Sequence, residues 1–269
     1  MTSHNDNAVV PSPPARYRWP SPFTVVVVAA FLGLLGKGFL EIDITLARLI
    51  DGAVNLVDFI GQALPPDTGE YGLIGWAMLE TLYIALVGVT LGVALSVPTG
   101  LLAASNTTPH ALVRATARLV IATMRTVPDL IWALIFVATV GLGPLAGVLA
   151  IVMDTIGFAA RFFSERIEEV DPGPAEALTS TGAGRLSVIG GAILPETLAS
   201  MTATSLFSVE QALRSAVTLG LVGAGGIGVE LSTAMRLFNY DRALTIILTI
   251  LVCVLAFEKL SSAIRRRVI

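Results

Sequence analysis

The sequence predicts an all-α integral membrane protein with about six transmembrane helices. Of its 269 residues, 54% are hydrophobic and only 14% are charged, whereas soluble domains carry about 25% charged residues. The mean hydropathy is +0.80, and the apolar residues form several runs long enough to cross a bilayer. A net charge of −3 offers no basic surface that would bind nucleic acid. These values exclude an ordinary soluble enzyme.

The first part of the chain is expected to hold a tail, one span and an external helix. Residues 1–22 are rich in proline and poor in apolar side chains, which predicts a disordered cytoplasmic tail. They lack the basic region and cleavage site of a signal peptide, so the first span, 23–40, is expected to be retained. The acidic stretch 41–71 has apolar residues at helical spacing and predicts an amphipathic helix on the outer membrane surface. These two elements occupy 23–71.

The main transmembrane domain is predicted over 72–264, followed by a basic cytoplasmic tail over 265–269. Placing both termini in the cytoplasm puts most basic residues inside, as the positive-inside rule requires. Arg236 and Arg242 are exceptions on the outer side. Counts of five or seven spans are the alternatives to six. The later spans are predicted over about 74–104, 119–140, 144–163, 188–212 and 243–262.

The polar segment 164–190 predicts two short helices joined by a glycine turn on the cytoplasmic side. Asp171 suits the N-cap of the first helix and Pro172 its first position. Gly182 suits the left-handed position that ends this helix. A rigid projection of this kind can transmit a mechanical push. The alternative is a solvated connector without such a role.

Glu176-Ala177-Leu178 is followed by Gly182 and then by Leu194-Pro195. This pattern resembles the coupling motif of ABC importer permeases, in which Glu-Ala-Ala precedes a glycine, an isoleucine and Leu-Pro. Leu178 stands where the family has its second alanine, and Ala192 stands at the isoleucine position. The Glu, the Gly and the Leu-Pro are all kept.

Longer stretches extend this similarity over about residues 70–267. They look like the permease subunit of phosphonate importers, a type I binding-protein-dependent permease. The resemblance implies that family's fold, with a cytoplasmic coupling helix and an amphipathic helix on the periplasmic side. The stretches are Arg125–Leu134, Gly141–Pro144, Glu168–Pro174, Arg214–Ala216, Gly220–Gly228 and Tyr240–Arg242.

The resemblance also implies the partners and the cargo. It implies a second copy of this chain, two cytoplasmic ATPase subunits and an extracytoplasmic binding protein, all at a bacterial cell membrane. The cargo would be phosphonate or a related oxyanion, phosphate or phosphite, and the loop from Glu176 to Gly182 would dock in a groove of the ATPase. The chain contains no Gly-x-x-x-x-Gly-Lys-Ser/Thr stretch, so ATP and magnesium are expected in the partner and no cofactor in this chain.

Ionisable residues inside predicted spans are candidates for the translocation pathway, because burying a charge in hydrocarbon is costly. Arg125 and Asp129 are four residues apart, as are Glu210 and Arg214. This spacing allows an ion pair within a helix. The alternative is that Arg125 or Arg214 offers positive potential to an oxyanion. Asp154 has no opposite charge nearby in sequence, so its partner lies on another helix or its carboxyl is protonated.

Glycines are also concentrated at particular points of the spans. The stretch from Gly223 to Gly228, which also contains Gly225 and Gly226, matches the dinucleotide fingerprint Gly-x-Gly-x-x-Gly, but flanking transmembrane spans exclude the βαβ unit that it needs. We instead expect a broken, re-entrant stretch that lines a cavity. The pairs Gly88/Gly92 and Gly143/Gly147 predict helix packing faces.

Two other functions remain as alternatives: an integral-membrane enzyme and an assembly scaffold without transport activity. The sequence contains neither a His-Glu-x-x-His pair nor a Gly-x-Ser-x-Gly elbow. Asp129 and Asp154 would be the candidate general bases of such an enzyme. With two histidines and a single cysteine, Cys253, the chain cannot build a usual zinc site.

Overall fold

The computed structural model describes residues 21–42, 45–67 and 69–268, and the regular structure within these ranges is helical throughout. The predicted disordered tail lies almost wholly outside the described residues. The helices are α1 (Pro22–Glu41), α2 (Leu46–Ala63), α3 (Tyr71–Ala103), α4 (Ala111–Thr126), α5 (Asp129–Val140), α6 (Pro144–Glu168), α7 (Pro172–Ser180), α8 (Arg185–Val188), a π-turn (Ile189–Ile193), α9 (Leu194–Gly220), α10 (Ile227–Arg236) and α11 (Tyr240–Val268).

Five described helical segments are long and apolar enough to cross a membrane, and a sixth crossing is formed if α4 and α5 count as one broken span. The predicted all-α membrane fold is therefore confirmed, and six spans agree with the upper count. The second predicted span, 74–104, corresponds to one uninterrupted helix, because α3 continues through Pro98. The five segments are Pro22–Glu41, Tyr71–Ala103, Pro144–Glu168, Arg185–Gly220 and Tyr240–Arg266.

The predicted third span, 119–140, differs most from the structure, because it is two helices bent by 91°. Val127 is extended, with ψ of 118°, and the break includes Pro128. Proline lacks an N–H, and its ring disfavours the helical conformation of the residue before it. The helix therefore stops at Thr126 and restarts at Asp129.

The described residues divide into two compact units, and the boundary lies between Asp58 and Phe59. In the first unit, α1 is capped by Ser21, whose hydroxyl accepts a hydrogen bond from the Thr24 N–H at 3.2 Å. None of the α1 residues is buried within the chain. The helix predicted within 41–71 is present as α2, and its place on the membrane surface stays a prediction.

The core of the second unit is a close contact between α3 and α6. A Cβ atom on Gly88 would lie 2.7 Å from Cγ2 of Ile151, and one on Gly92 would lie 2.5 Å from Cβ of Thr155. The absence of side chains thus lets the two backbones approach, and the packing face predicted at Gly88 and Gly92 is confirmed.

The packing face predicted at Gly143 and Gly147 is only half correct. A Cβ on Gly147 would lie 2.7 Å from the Ala224 carbonyl oxygen, so this glycine does permit a close contact. A Cβ on Gly143 would meet no atom within 4 Å, and this glycine has a φ of 132°. Its role is to turn the chain before α6, because L-residues with side chains rarely adopt this backbone conformation.

Candidate functional site

The segment predicted to couple to a partner begins with a capped helix. The Asp171 carboxylate accepts a hydrogen bond from the Gly173 N–H at 3.1 Å, and Pro172 occupies the first helical position. This satisfies one of the N–H groups that a helix start leaves without an intrahelical partner. The helix start therefore has the caps that the sequence predicts.

The C-terminal end of α7 is also capped. Gly182 is left-handed, with φ of 83°, and its N–H donates to the Thr179 carbonyl at 3.0 Å. The Ala183 N–H donates to the Leu178 carbonyl at 3.3 Å. These two bonds form a Schellman motif, which satisfies the last carbonyls of the helix and reverses the chain. The prediction for Gly182 is confirmed at the level of backbone geometry.

After Gly182, the chain returns along α7. Helix α8 leads into the π-turn, and α9 starts at Leu194-Pro195. A Cβ on Gly191 would lie 3.3 Å from Cδ1 of Leu178, so α7 lies against the π-turn. Leu178 is half-buried on this side.

The other side of this segment is open. Glu176, Ala177 and Gly182 are exposed. Pro195 is also exposed, whereas Leu194 is half-buried and packs against a buried cluster that includes Phe163. The result is a hydrogen-bonded projection whose Glu-Ala edge is available to another protein.

A second group of predicted residues comes together where the broken α4–α5 span meets α6 and α9. The Gln211 side-chain amide donates to the Asp154 carboxylate at 3.2 Å. The Asp129 carboxylate lies close enough for its charge to act on Asp154. Asp154 therefore has a hydrogen-bond partner on another helix. This partner is a neutral amide and not an opposite charge, so protonation of the carboxyl stays a prediction.

The bend between α4 and α5 determines where Asp129 lies relative to α6. A Cβ on Gly157 would lie 2.8 Å from the Arg125 backbone nitrogen, so the end of α4 rests directly on α6. The next helix then starts with Asp129. A helix break inside a membrane is tolerated where protein or a water-filled cavity covers it. Because Gly157 has no side chain, α6 can approach closely enough to cover this break.

The ion pairs considered within single helices are not formed. Oε1 of Glu210 is bound instead by Nη2 of Arg265 on α11, at 2.8 Å. Within residues 21–42, 45–67 and 69–268, neither Arg125 nor Arg214 has an ion-pair partner. Both side chains are exposed, so each guanidinium is available to an anion.

The glycine-rich stretch forms a tight turn between α9 and α10. Gly225 and Gly226 are left-handed, with φ of 86° and 74°. A Cβ on Gly226 would collide with the Thr81 hydroxyl, which accepts a hydrogen bond from the Ile227 N–H at 2.8 Å. The Gly223 carbonyl accepts from the Gly143 N–H at 3.0 Å. The turn is thus a packed junction of three segments.

Three residues of these sites were not identified from the sequence: Gln211, Arg265 and Arg242. Arg242 binds Glu70 at 2.9 Å and Glu230 at 2.8 Å, which ties α10 and α11 to the start of α3. The sequence did offer one signal for Arg242, because it is an exception to the positive-inside rule. A positive charge on the outer side is expected to need an acidic partner. In the part of the chain that the structure describes, no three His, Cys, Asp or Glu side chains are grouped as a metal site.

The fold and the projecting segment define a class of protein. The chain belongs to the family of binding-protein-dependent transport system inner membrane components, whose family model matches residues 96–269. It is therefore a multi-pass membrane subunit of a transport system, and transport in this family depends on a separate binding protein. Membership confirms the predicted permease family and does not support the membrane-enzyme alternative.

Two individual relatives are named as permeases for phosphate and phosphite. The phosphate-import permease protein PhnE of Mycolicibacterium smegmatis is 43% identical over 84% of this chain, and the matched part is 42% of that relative's length. The phosphite transport system permease protein PtxC of Stutzerimonas stutzeri is 36% identical over 91% of this chain and 86% of its own length.

Solved structures agree on the fold. A chain of the MetNI methionine ABC transporter in inward-facing conformations superposes with a TM-score of 0.66, covering 76% of this chain and 99% of that chain. The sequence identity is 20%, so this likeness shows the fold alone.

Proposed function

We propose that the chain is the transmembrane subunit of an ATP-driven importer of phosphorus oxyanions, namely phosphate, phosphite or phosphonate. The observation that carries the proposal is the match to PtxC, which extends over 86% of that permease. Names of similar relatives refer to phosphate and phosphite, two tetrahedral oxyanions.

The proposed partner proteins follow from the same assignment to an ATP-driven importer. A second copy of this chain would complete the pathway, two ATPase subunits would bind ATP and magnesium, and an extracytoplasmic binding protein would deliver the anion. The exposed edge at Glu176 and Ala177 is the surface that would dock on the ATPase. Both termini of the chain would then be cytoplasmic, because α7 lies on the ATPase side.

The pathway would use weak electrostatic attraction. Arg125 and Arg214 are exposed and unpaired among the described residues, and a guanidinium matches the oxygens of a phosphoryl group. The Asp154–Gln211 contact would limit how strongly an anion is held where the broken span meets α6 and α9. A permeating ion must bind weakly enough to leave again.

The test is uptake of labelled phosphate by phosphate-starved cells, with and without this chain, in the presence or absence of excess alkylphosphonate or phosphite. Uptake that depends on the chain and is suppressed by the competitors would support a broad oxyanion importer. Uptake indifferent to both competitors would identify phosphate as the cargo. If labelled phosphate, phosphite and phosphonate all enter independently of the chain, the proposed cargo class is wrong.

A further inference from the structure

A cavity of about 330 Å³ between α4 and α6 contains three arginines. Arg118 and Arg125 come from α4, and Arg161 comes from α6. Ile121, which is buried, lines the cavity between them. Three guanidinium groups around one cavity are a concentrated positive charge in a chain with only 14% charged residues.

Two of the arginines are held in place by glutamates. Nη2 of Arg118 binds Oε1 of Glu168 at 2.6 Å, and its Nε donates to the Ala103 carbonyl at 2.9 Å. Nε of Arg161 binds Oε1 of Glu165 at 2.7 Å. A guanidinium carries more N–H donors than these contacts use. Both arginines are therefore oriented and still able to donate to a ligand.

Arg125 supplies the excess charge. It has no ion-pair partner among the described residues, so the cavity holds three guanidinium groups against the two carboxylates of Glu165 and Glu168. The net charge of its lining is positive. Guanidinium groups bind phosphate oxygens in bidentate geometry, and the cavity volume exceeds that of a phosphate group alone.

We propose that this cavity binds a phosphate group, carried either by the headgroup of an anionic phospholipid or by a free phosphate ion. Glu168 ends α6, and α7 begins at Pro172, so the site adjoins the segment proposed to couple to the ATPase. An occupied site would bridge α4 and α6 at this end of the bundle. The proposal does not require the chain to transport phosphorus oxyanions.

The variants are chosen so that loss of binding differs from loss of fold. Arg125→Gln removes no described ion pair, and Arg161→Gln removes one exposed pair within a helix, which contributes little to stability. Arg166→Gln is the matched control: it also lies on α6 and loses one exposed pair, at 3.2 Å from Glu169. Arg166 does not line the cavity.

Two measurements on the purified transport complex distinguish the sources of the phosphate group. Native mass spectrometry counts phosphatidylglycerol retained from mixed phosphatidylglycerol and phosphatidylcholine nanodiscs. Equilibrium dialysis with labelled inorganic phosphate measures the free ion on delipidated complex. We expect Arg125→Gln/Arg161→Gln to weaken binding about tenfold or more in one of the two, which corresponds to loss of a charge-assisted hydrogen bond.

Loss in the first measurement identifies a lipid headgroup, and loss in the second identifies the free ion. Arg161→Gln alone is expected to weaken binding in the same measurement, with thermal stability almost unchanged. Arg161 is not among the proposed pathway residues, so this loss distinguishes the cavity from the pathway role proposed for Arg125. The proposal is overturned if the wild-type complex binds neither probe. It is equally overturned if Arg166→Gln weakens binding as much as the double variant.

Discussion

Replacing Gly182 by proline is expected to uncouple ATP hydrolysis from transport while leaving the transmembrane helices folded. Proline fixes φ near −65°, whereas Gly182 has φ of 83°. It also removes the N–H that donates to the Thr179 carbonyl. Because the proline ring cannot adopt this φ, the substitution is expected to abolish the capped turn. Because Gly182 is exposed and a Cβ there would meet nothing within 4 Å, the damage stays local.

Alanine gives a graded version of the same test. A Cβ in the left-handed region costs about 1–2 kcal/mol, which lowers the population of the turn by roughly 5- to 30-fold. Gly184→Ala is the matched control, because Gly184 has an ordinary φ of −68° and open space around its Cβ position. The expected order of coupling is wild type and Gly184→Ala, then Gly182→Ala, then Gly182→Pro.

The assay measures oxyanion uptake and ATP hydrolysis together in proteoliposomes that contain the complete complex. The ATPase subunit is identified by peptides of its own phosphate-binding loop, and thermal unfolding checks the membrane domain. Gly182→Pro is expected to lose uptake and binding-protein-stimulated hydrolysis at an unchanged unfolding temperature. Wild-type uptake per ATP in Gly182→Pro would refute the assignment of this turn to coupling, as would equal damage in Gly184→Ala.

Four further predictions concern packing, ion pairs and the proposed pathway. Gly92→Ala is expected to lower stability by about 1–3 kcal/mol through overpacking against α6, whereas Gly72→Ala, with open space, is not; denaturant titration compares them. Arg265→Gln leaves the Glu210 carboxylate, which is only 13% exposed, without its partner. It is expected to lower stability by about 1–3 kcal/mol, measured by the same denaturant titration. Arg214→Gln is instead expected to slow uptake at unchanged stability, and normal uptake would remove it from the pathway. Arg242→Gln breaks two ion pairs and is expected to increase protease cleavage around α10; unchanged cleavage would contradict a fastening role.

Much of this protein could be predicted because the information is local in sequence. The long apolar runs define the membrane helices, and six predicted spans correspond to the six crossings obtained when α4 and α5 count together. The caps at Asp171 and Gly182 are read from neighbouring residues, since each acts on a backbone group within a few positions. The coupling motif indicated the family for the same reason.

The partners of the charged groups could not be predicted, because they lie far apart along the chain. Glu210 has a suitable arginine four residues away, yet its carboxylate binds Arg265, 55 residues away. Asp154 contacts Gln211, 57 residues away. Such pairs depend on the tilt and register of whole helices. These are set by the closeness of contacts such as that between Gly92 and Thr155.

The sequence by itself therefore determined the membrane fold, the capped helix α7 and the family, because apolar periodicity, helix caps and motif spacing act over a few residues. Only the tertiary structure decided which of the candidate arginines have no ion-pair partner and where Arg125 and Asp129 of the broken span lie. The 91° bend illustrates this division. The sequence predicted one span through Pro128, although proline can interrupt a helix. The direction of the second half is decided by how α4 and α5 pack against Gly157 and the rest of α6.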